Sequence, residues 1–172
     1  MQTAVVVGNP KPKSRTLDAA CLVARKLTGA EPDIILDLVD LGPALLEFGN
    51  AKVTEAVQSV QRARVVVVAS PTFKATYTGL LKLFLDQIPS DGLAAVTAFP
   101  VMLGAGPAHA MAPDLLLKPV LVELGATCPS PGLYLIDKTF AEDPRLDAWV
   151  TRAKPLLPVR TSTNGQDGAT GR

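Results

Sequence analysis

The sequence predicts an α/β fold built on one doubly wound parallel sheet of five strands. Short apolar segments rich in β-branched residues alternate five times with segments that have the 3.6-residue spacing of helices. Such helical connections return each strand parallel to the previous one, with right-handed crossovers. Hydrophobic residues make up 48% of the 172 residues and charged residues 19%, which favours strands buried on both faces. We therefore expect a three-layer α/β/α sandwich with strand order 2-1-3-4-5.

The first half of the chain supplies three of these strands. Residues 4–7 form the first strand, which ends at Gly8, and a helix with an apolar face starts at Ser14. Residues 34–36 form the second strand, residues 43–50 an irregular connection, and the spacing of Val53, Val57 and Val60 predicts a second helix. The third strand, residues 65–69, is the most hydrophobic, so we place it at the centre of the sheet.

A third helix follows the central strand and ends at Pro89. Its expected buried residues are Leu80, Leu81, Phe84, Leu85 and Ile88. Residues 96–103 form the fourth strand. Pro100 lies inside this strand and cannot donate a ladder hydrogen bond, which predicts a bulge or a locally unpaired residue.

The last third of the chain completes the pattern. A helix opens at Pro113 and continues to Leu124, with a kink expected at Pro119. Residues 133–136 form the fifth strand. Asp143 and Pro144 are typical of an N-cap and first helical position. This final helix is expected to bury Leu146, Trp149, Val150 and Ala153.

Composition also limits the class of protein. We expect one domain over residues 1–157 and a flexible polar tail over residues 158–172, because the tail has too little apolar surface to fold on its own. The net charge is +1, and Lys and Arg are spread along the chain, so no basic patch indicates nucleic-acid binding. No apolar run reaches the ~18 residues that span a bilayer. Cys21 and Cys128 match no metal spacing and are interpreted as reduced core thiols. With no leader at the amino terminus, we expect a soluble, cytoplasmic protein.

The loop over residues 8–16 has the composition of an anion site. It follows the first strand and brings the hydroxyls of Ser14 and Thr16, the basic side chains of Lys11, Lys13 and Arg15, and free backbone N–H groups to a helix start. An ordinary capped helix with solvated basic residues would have the same composition. The loop has neither a dinucleotide-binding nor a P-loop glycine pattern, so one phosphate group suits it better than a pyrophosphate.

Two further loops leave neighbouring strand ends at the point where the strand order reverses. In residues 71–74, Phe73 offers a flat apolar face and Thr72 a hydrogen-bonding group, although Phe73 could instead pack in the core. Residues 104–109 begin with small residues, which let a ligand approach the backbone. His109, the only histidine, is more typical of a capping residue, and we assign it no catalytic role.

Together the three loops predict a site for a flat ring that carries one phosphate, and FMN fits that description. The sequence has no Ser-His-Asp set, paired carboxylates or metal-ligand cluster near these loops, which disfavours hydrolysis and metal catalysis. Redox chemistry needs none of these groups, because a flavin carries the reaction itself.

At these residues the chain resembles the NAD(P)H-dependent FMN reductases, and in particular the flavin reductase components of two-component monooxygenases. The likeness covers residues 4 to about 136. Its segments are VGNP followed by SRT at residues 7–16, SPTFKATYTGLLK at residues 70–82, GAGPAH at residues 104–109 and LKPVL at residues 117–121. The resemblance implies a flavodoxin-like fold with bound FMN and NAD(P)H.

The same resemblance implies site roles for individual residues. The phosphate of FMN would be held by Asn9, Ser14, Arg15 and Thr16. The isoalloxazine and ribityl chain would lie along Pro71, Thr72, Phe73 and Lys74, and the pyrimidine end of the ring would meet the backbone of Gly104, Ala105 and Gly106. The family usually has Ser where this chain has Asn9, Tyr in place of Phe73, and often Gly-Gly in place of Gly104-Ala105.

The implied reaction is hydride transfer from reduced nicotinamide to flavin N5, with no essential protein acid or base. Reduced FMN would pass to a partner monooxygenase. The resemblance also implies a homodimer or homotetramer, to which residues 115–117 could contribute unless they are plain core. Two alternatives stay open: an FMN-bound quinone, azo or nitro-compound reductase, and a flavodoxin-type electron carrier, which the near-neutral charge disfavours. The sequence does not decide between NADH and NADPH.

Overall fold

Five parallel strands form one sheet in the order β2-β1-β3-β4-β5. The computed structural model describes residues 1–159. The strands are β1 (Thr3–Val7), β2 (Ile34–Asp37), β3 (Val65–Pro71), β4 (Thr97–Gly104) and β5 (Leu133–Ile136). The predicted strand order and the central place of the third strand are confirmed. All but the first two residues of the predicted tail lie outside the described residues.

Helices cover both faces of the sheet. The α-helices of the described residues are α1 (Arg15–Thr28), α2 (Ala51–Arg62), α3 (Gly79–Leu85), α4 (Lys118–Glu123) and α5 (Pro144–Ala153). Alternate residues of β1 enter opposite cores. Ala4 and Val6 pack in the cluster that contains residues of α2, α3 and α4, whereas Val5 and Val7 pack with α1 and α5. The predicted three-layer sandwich is therefore confirmed.

Several element boundaries differ from the prediction. β3 continues to Pro71 instead of ending at Ala69, and α3 ends at Leu85 instead of reaching Pro89. Leu80 is half-buried at the edge of the core, not inside it. Residues of the predicted irregular connection belong partly to a run of 3₁₀ turns, Leu38–Leu46, which is interrupted at Gly42.

Pro100 is accommodated without a bulge. The β3–β4 register runs without interruption from Val65 opposite Thr97 to Pro71 opposite Leu103. The Ala98 N–H bonds to the Thr127 carbonyl on the side away from β3, and alternate residues of a strand direct their N–H groups to the same side. The Pro100 nitrogen therefore faces the β5 side, where the ladder starts only at Val101. Of the two predicted outcomes, the locally unpaired residue fits.

The helix with Pro119 begins in a π-helical turn. Pro113–Leu117 is π-helical, and its end is marked by a bond from the Lys118 N–H to the Pro113 carbonyl. Pro119 then falls in the first turn of α4, where a missing N–H costs little. The predicted single helix with a kink at Pro119 is therefore a π-helical turn followed by a short α-helix, with Pro119 near the start of that α-helix.

The remaining predictions concern the last helix, the thiols and the membrane. Asp143 caps α5 as expected, while Val150 is only half-buried. Cys21 and Cys128 are free and half-buried at the core edges. No helix among residues 1–159 has the length and apolar character needed to cross a membrane.

Candidate active site

A cavity of about 410 Å³ lies at the carboxyl ends of β1, β3, β4 and β5. It brings together residues of all three predicted loops: Asn9, Ser14, Arg15 and Thr16 from the first, Pro71, Thr72 and Phe73 from the second, and Gly104 and Ala105 from the third. Gly106 lines an adjoining cavity of about 540 Å³ that shares Thr72, Gly104 and Ala105 with the first. Lys74 lines neither of these two cavities.

The loop before α1 is held by its own polar groups. Asn9 Oδ1 accepts from the Lys11 N–H at 2.9 Å, and Asn9 Nδ2 donates to Thr16 Oγ1 at 2.9 Å. Ser14 is the N-cap of α1, and its Oγ accepts from the Leu17 N–H at 3.3 Å. Asn9, predicted as a phosphate contact, thus uses its side chain within the loop in this structure. The first-turn N–H groups of α1 have no helical acceptors and can bind an anion.

Asp37, at the end of β2, braces the same loop. Its Oδ2 accepts from the Lys13 N–H at 3.2 Å, and Lys13 has a positive φ of 49°. Asp37 Oδ1 is buried without a hydrogen-bond partner. Burial raises the pKa of the Asp37 carboxyl, against the opposing effect of the Lys13 hydrogen bond. The left-handed conformation just before the N-cap is therefore supported by a side chain from the neighbouring strand.

The loop after β3 is a tight turn with its aromatic side chain exposed. Phe73 and Thr76 exchange two backbone hydrogen bonds of 2.9 and 3.2 Å. Lys74 and Ala75 between them both have positive φ, 51° and 71°, as in a type I′ turn. Phe73 is 51% exposed, so the alternative that it packs in the core is wrong.

Thr72 brings an unused polar atom to the two cavities. Its N–H donates to the Leu103 carbonyl at 2.6 Å, which ties the loop to β4. Its Oγ1 is buried and has no hydrogen-bond partner. Such an atom is costly unless something else satisfies it, and both cavities are lined by this residue. A ligand with a polar group at this position would supply the missing partner.

Thr78 joins the first two loops. Its Oγ1 donates to the Gly8 carbonyl and accepts from the Leu81 N–H, and its own N–H donates to Ser70 Oγ at 3.0 Å. A side chain at Gly8 would place its Cβ 2.4 Å from the Leu81 Cβ, so only glycine allows this approach of β1 to α3. The loop before α1 and the loop after β3 are thus held at one relative position.

The third loop is anchored by Tyr134 of β5. The Tyr134 hydroxyl donates to the Gly106 carbonyl at 2.8 Å. A Cβ at Gly104 would lie 1.9 Å from the same hydroxyl oxygen, so glycine is required for this packing. His109 lines the adjoining cavity at the end of a short 3₁₀ turn, Pro107–His109, and is exposed.

Asp137 is a cavity residue that the sequence analysis missed. Its Oδ2 lies 2.9 Å from Arg15 Nη2, and it lines the same cavity. Asp137 directly follows β5, and ligands bind beyond the carboxyl ends of parallel strands. Its position just after the fifth predicted strand is therefore the sequence signal that identifies this residue.

The residues present fit FMN. One end of the cavity has the first turn of a 14-residue helix with nearby basic side chains, which suits a phosphate. The exposed Phe73 face and the unpartnered Thr72 hydroxyl suit a ring with polar edges. The closely packed glycine backbone suits a ligand that lies flat against the strand ends. Fold and site together define a flavodoxin-like flavin oxidoreductase.

Comparisons with known proteins give the family. The family model for NADPH-dependent FMN reductase matches residues 1–141, and the chain belongs to this family. It is 31% identical over 169 residues to the FMN reductase (NADPH) of Escherichia coli K12, covering 95% of this chain and 85% of that protein. It is 27% identical over 137 residues to the NADH-dependent FMN reductase SfnF of Pseudomonas fluorescens, covering 75% and 73%.

A solved structure shares the fold closely. The apo form of the NADH:FMN oxidoreductase EMOB superposes with a TM-score of 0.83 at 32% identity, covering 94% of this chain and 92% of that one. The resemblance to the NAD(P)H-dependent FMN reductases is therefore confirmed. The chain is an NAD(P)H-dependent FMN reductase in a flavodoxin-like fold, with FMN and NAD(P)H as its cofactors.

Proposed function

We propose that this reductase binds FMN across the 410 Å³ cavity and releases it, once reduced, to a separate acceptor. The observation that carries the proposal is the convergence of three loops on one cavity. They provide a helix N-terminus, an exposed aromatic face and a backbone stretch without bulky side chains. The three features match the phosphate, the ring and the ring edge of one ligand.

The phosphate end of FMN belongs, in this proposal, at the first turn of α1. The backbone N–H groups of Arg15 and Thr16 would donate to it, with the buried hydroxyls of Ser14 and Thr16 beside them. Asn9 would act by holding Thr16 in place, since its amide already donates to that hydroxyl. Lys11 and Lys13 would add positive charge at the cavity wall.

The ring end belongs between the second and third loops. Pro71 and Phe73 would provide apolar contact, and Thr72 would give its unpartnered hydroxyl to a polar group of the ligand. Lys74, which lines neither cavity, would be limited to contact at the rim. The backbone of residues 104–106 would border the pyrimidine edge, held there by Tyr134.

Bound FMN supplies a ring that accepts a hydride from reduced nicotinamide. The chain's own residues orient the two ligands. The 540 Å³ cavity shares Thr72, Gly104 and Ala105 with the FMN site, so a nicotinamide there would lie beside the flavin. Proximity supplies much of the rate when two ligands are held in contact, and no side-chain acid or base is assigned a step.

Steady-state oxidation of NADH and of NADPH, with and without added FMN, FAD and riboflavin, tests this function. We expect oxidation that requires added flavin, because released FMN must be replaced in each cycle. Absence of any flavin-dependent oxidation with either nicotinamide would contradict the proposal and would favour an electron carrier.

The acceptor of the reduced flavin is the finer part of the proposal. We assign it to a partner flavin-dependent monooxygenase in the cytoplasm, because the chain resembles flavin-supplying reductases. Gel filtration of enzyme mixed with FMN distinguishes the alternative. A yellow protein that keeps its FMN on the column and turns over quinones would instead be a quinone reductase with resident flavin.

We also propose that the enzyme is a homo-oligomer. Support comes from an apolar surface over the π-helical turn and α4, formed by Leu115, Leu116 and Val122, all of which are exposed. Leu117, in contrast, is fully buried. Within the 115–117 run, Leu115 and Leu116 are therefore available for an interface, whereas Leu117 belongs to the core.

A further inference from the structure

An ion pair joins the phosphate-binding loop to the end of β5. Arg15 Nη2 and Asp137 Oδ2 are 2.9 Å apart, and both residues line the 410 Å³ cavity. Arg15 is the first residue of α1, the position where the phosphate of FMN is proposed to bind. An acidic side chain thus holds a cation that the phosphate would also attract.

The acidic partner is the more firmly held of the two. The Asp137 N–H donates to the Gly104 carbonyl at 3.0 Å, and its side chain is 27% exposed compared with 57% for Arg15. Asp137 Oδ1 is buried without a partner, so the pair has a single contact instead of the two of a bidentate pair. Other guanidinium N–H groups of Arg15 stay available, and the exposed arginine can move.

The remaining charges at the cavity do not duplicate this arrangement. Lys11 and Lys13 also line it, and Asp18 is the other acidic residue there. No ion pair joins Asp18 to a basic side chain among residues 1–159. Asp137 is therefore the acidic group in the described part of the chain that directly engages a cation of the loop.

We propose that Asp137 competes with the ligand phosphate for Arg15 and thereby lowers the affinity for FMN. The carboxylate and the phosphate repel each other at close range. One arginine also cannot form its full set of hydrogen bonds with both groups at once. An exposed ion pair itself stabilises the fold little, so the main effect of Asp137 falls on the phosphate. The inference rests on the proposed FMN site and gives a reason why the flavin would exchange instead of staying bound.

Asp137→Asn tests the competition, with dissociation constants of FMN and of riboflavin measured by quenching of flavin fluorescence. Riboflavin has the same ring and ribityl chain but no phosphate. We expect FMN to bind about fivefold to tenfold more tightly to the variant, in the range of ordinary charge coupling, while riboflavin is unchanged. Raised ionic strength should shrink the difference.

Matched variants separate this effect from general ones. Asp147→Asn removes an acid paired with Lys26 at 2.7 Å outside the cavity, and both flavins should bind it as they bind the wild type. In an Arg15→Ala background the gain from Asp137→Asn should become smaller. If Asp137→Asn does not fold, as judged by circular dichroism, Asp137→Ser serves in its place.

Several outcomes would overturn the inference. Unchanged or weaker FMN binding excludes competition, and equal weakening of both flavins would make Asp137 a contact of the ribityl chain. If Asp137→Asn raises the FMN affinity as much in the Arg15→Ala background as in the wild type, Arg15 does not mediate the effect. If the wild-type enzyme binds both riboflavin and FMN, but Asp137→Asn changes the two affinities equally or not at all, this inference alone is contradicted. Wild-type enzyme that binds neither flavin refutes the proposed function, and this inference with it.

Discussion

At the residue scale, the site depends on positions where no side chain fits. Gly104 is the clearest case, because a Cβ there would overlap the Tyr134 hydroxyl that holds the Gly106 carbonyl. Gly106 itself has open space around its hypothetical Cβ. The two glycines stand two residues apart in one loop, and they differ in whether the structure requires them.

Gly104→Ala should therefore lower the free energy of unfolding by about 1–3 kcal/mol, as overpacking in a close-packed region does. The tyrosine must move and lose its hydrogen bond to the loop. Gly106→Ala in the same protein should change stability by less than about 0.5 kcal/mol. Urea denaturation followed by circular dichroism measures both. Equal destabilisation by the two substitutions would contradict the packing described here.

The reactivity of the Cys128 thiol also depends on its surroundings. Burial raises the pKa of Cys128 to about 11, against the opposing effect of Lys118. Because the thiolate is the reactive form, iodoacetamide at pH 7.5 should label Cys128 much more slowly than it labels the amino acid cysteine in solution. Labelling of Cys128 should become faster as the pH approaches 11. Mass spectrometry of labelled peptides measures the rate. Rapid labelling of folded protein at neutral pH would show that the thiol is not protected.

At the element scale, the turn after β3 is strained. Lys74 and Ala75 hold positive φ without being glycine or asparagine, a conformation that costs an ordinary residue roughly 1–2 kcal/mol. The turn is kept by the backbone bonds between Phe73 and Thr76 and by the Thr72 bond to β4. Strain of this kind persists where the surrounding structure determines the backbone, and here it lies at the rim of the cavity.

Ala75→Gly should relieve part of this strain. We expect a gain in unfolding free energy of about 0.5–1 kcal/mol, since glycine adopts positive φ freely but loses more chain entropy on folding. Thermal denaturation measures the change. Ala30→Gly, at an exposed position without positive φ, is the control and should be neutral or destabilising. A loss of stability for Ala75→Gly would contradict the backbone conformation of the turn.

At the scale of the whole molecule, the topology was predictable and some contacts were not. The valines of β3 predicted the central strand, and the spacing of apolar residues after Ser14 predicted α1, because both signals are local. Lys74 and Ala75 are not turn-forming residues, so the type I′ turn was invisible in the sequence. The early end of α3 and the 3₁₀ turns of Leu38–Leu46 were likewise missed. Ile88 continues the apolar spacing of α3 beyond its end, and apolar residues recur through Leu38–Leu46 without a helical or strand period.

The candidate site shows the same division. Its loops could be predicted because they follow recognisable strands. The pairing of Arg15 with Asp137 could not, since it joins residues far apart in the chain through the tertiary fold. The use of Asn9 within its own loop depends on side-chain geometry that composition does not encode.

The proposed oligomer gives a prediction at this scale. Leu115, 64% exposed on the π-helical turn, should lie in the interface, so Leu115→Glu should convert the oligomer to a monomer in light scattering after gel filtration. Leu46→Glu is the matched control, because Leu46 is 69% exposed on a different surface. A wild-type monomer, or an oligomer that survives Leu115→Glu, would contradict this assignment.

The most direct test of the FMN site is a binding titration with the double substitution Thr72→Arg and Phe73→Glu. Both residues line the cavity, and neither is part of the two core clusters. We expect FMN to bind to the wild type and to fail to bind to the variant, while circular dichroism and thermal denaturation show an intact fold. Normal FMN binding by the folded variant would contradict the central claim that these loops form the flavin site.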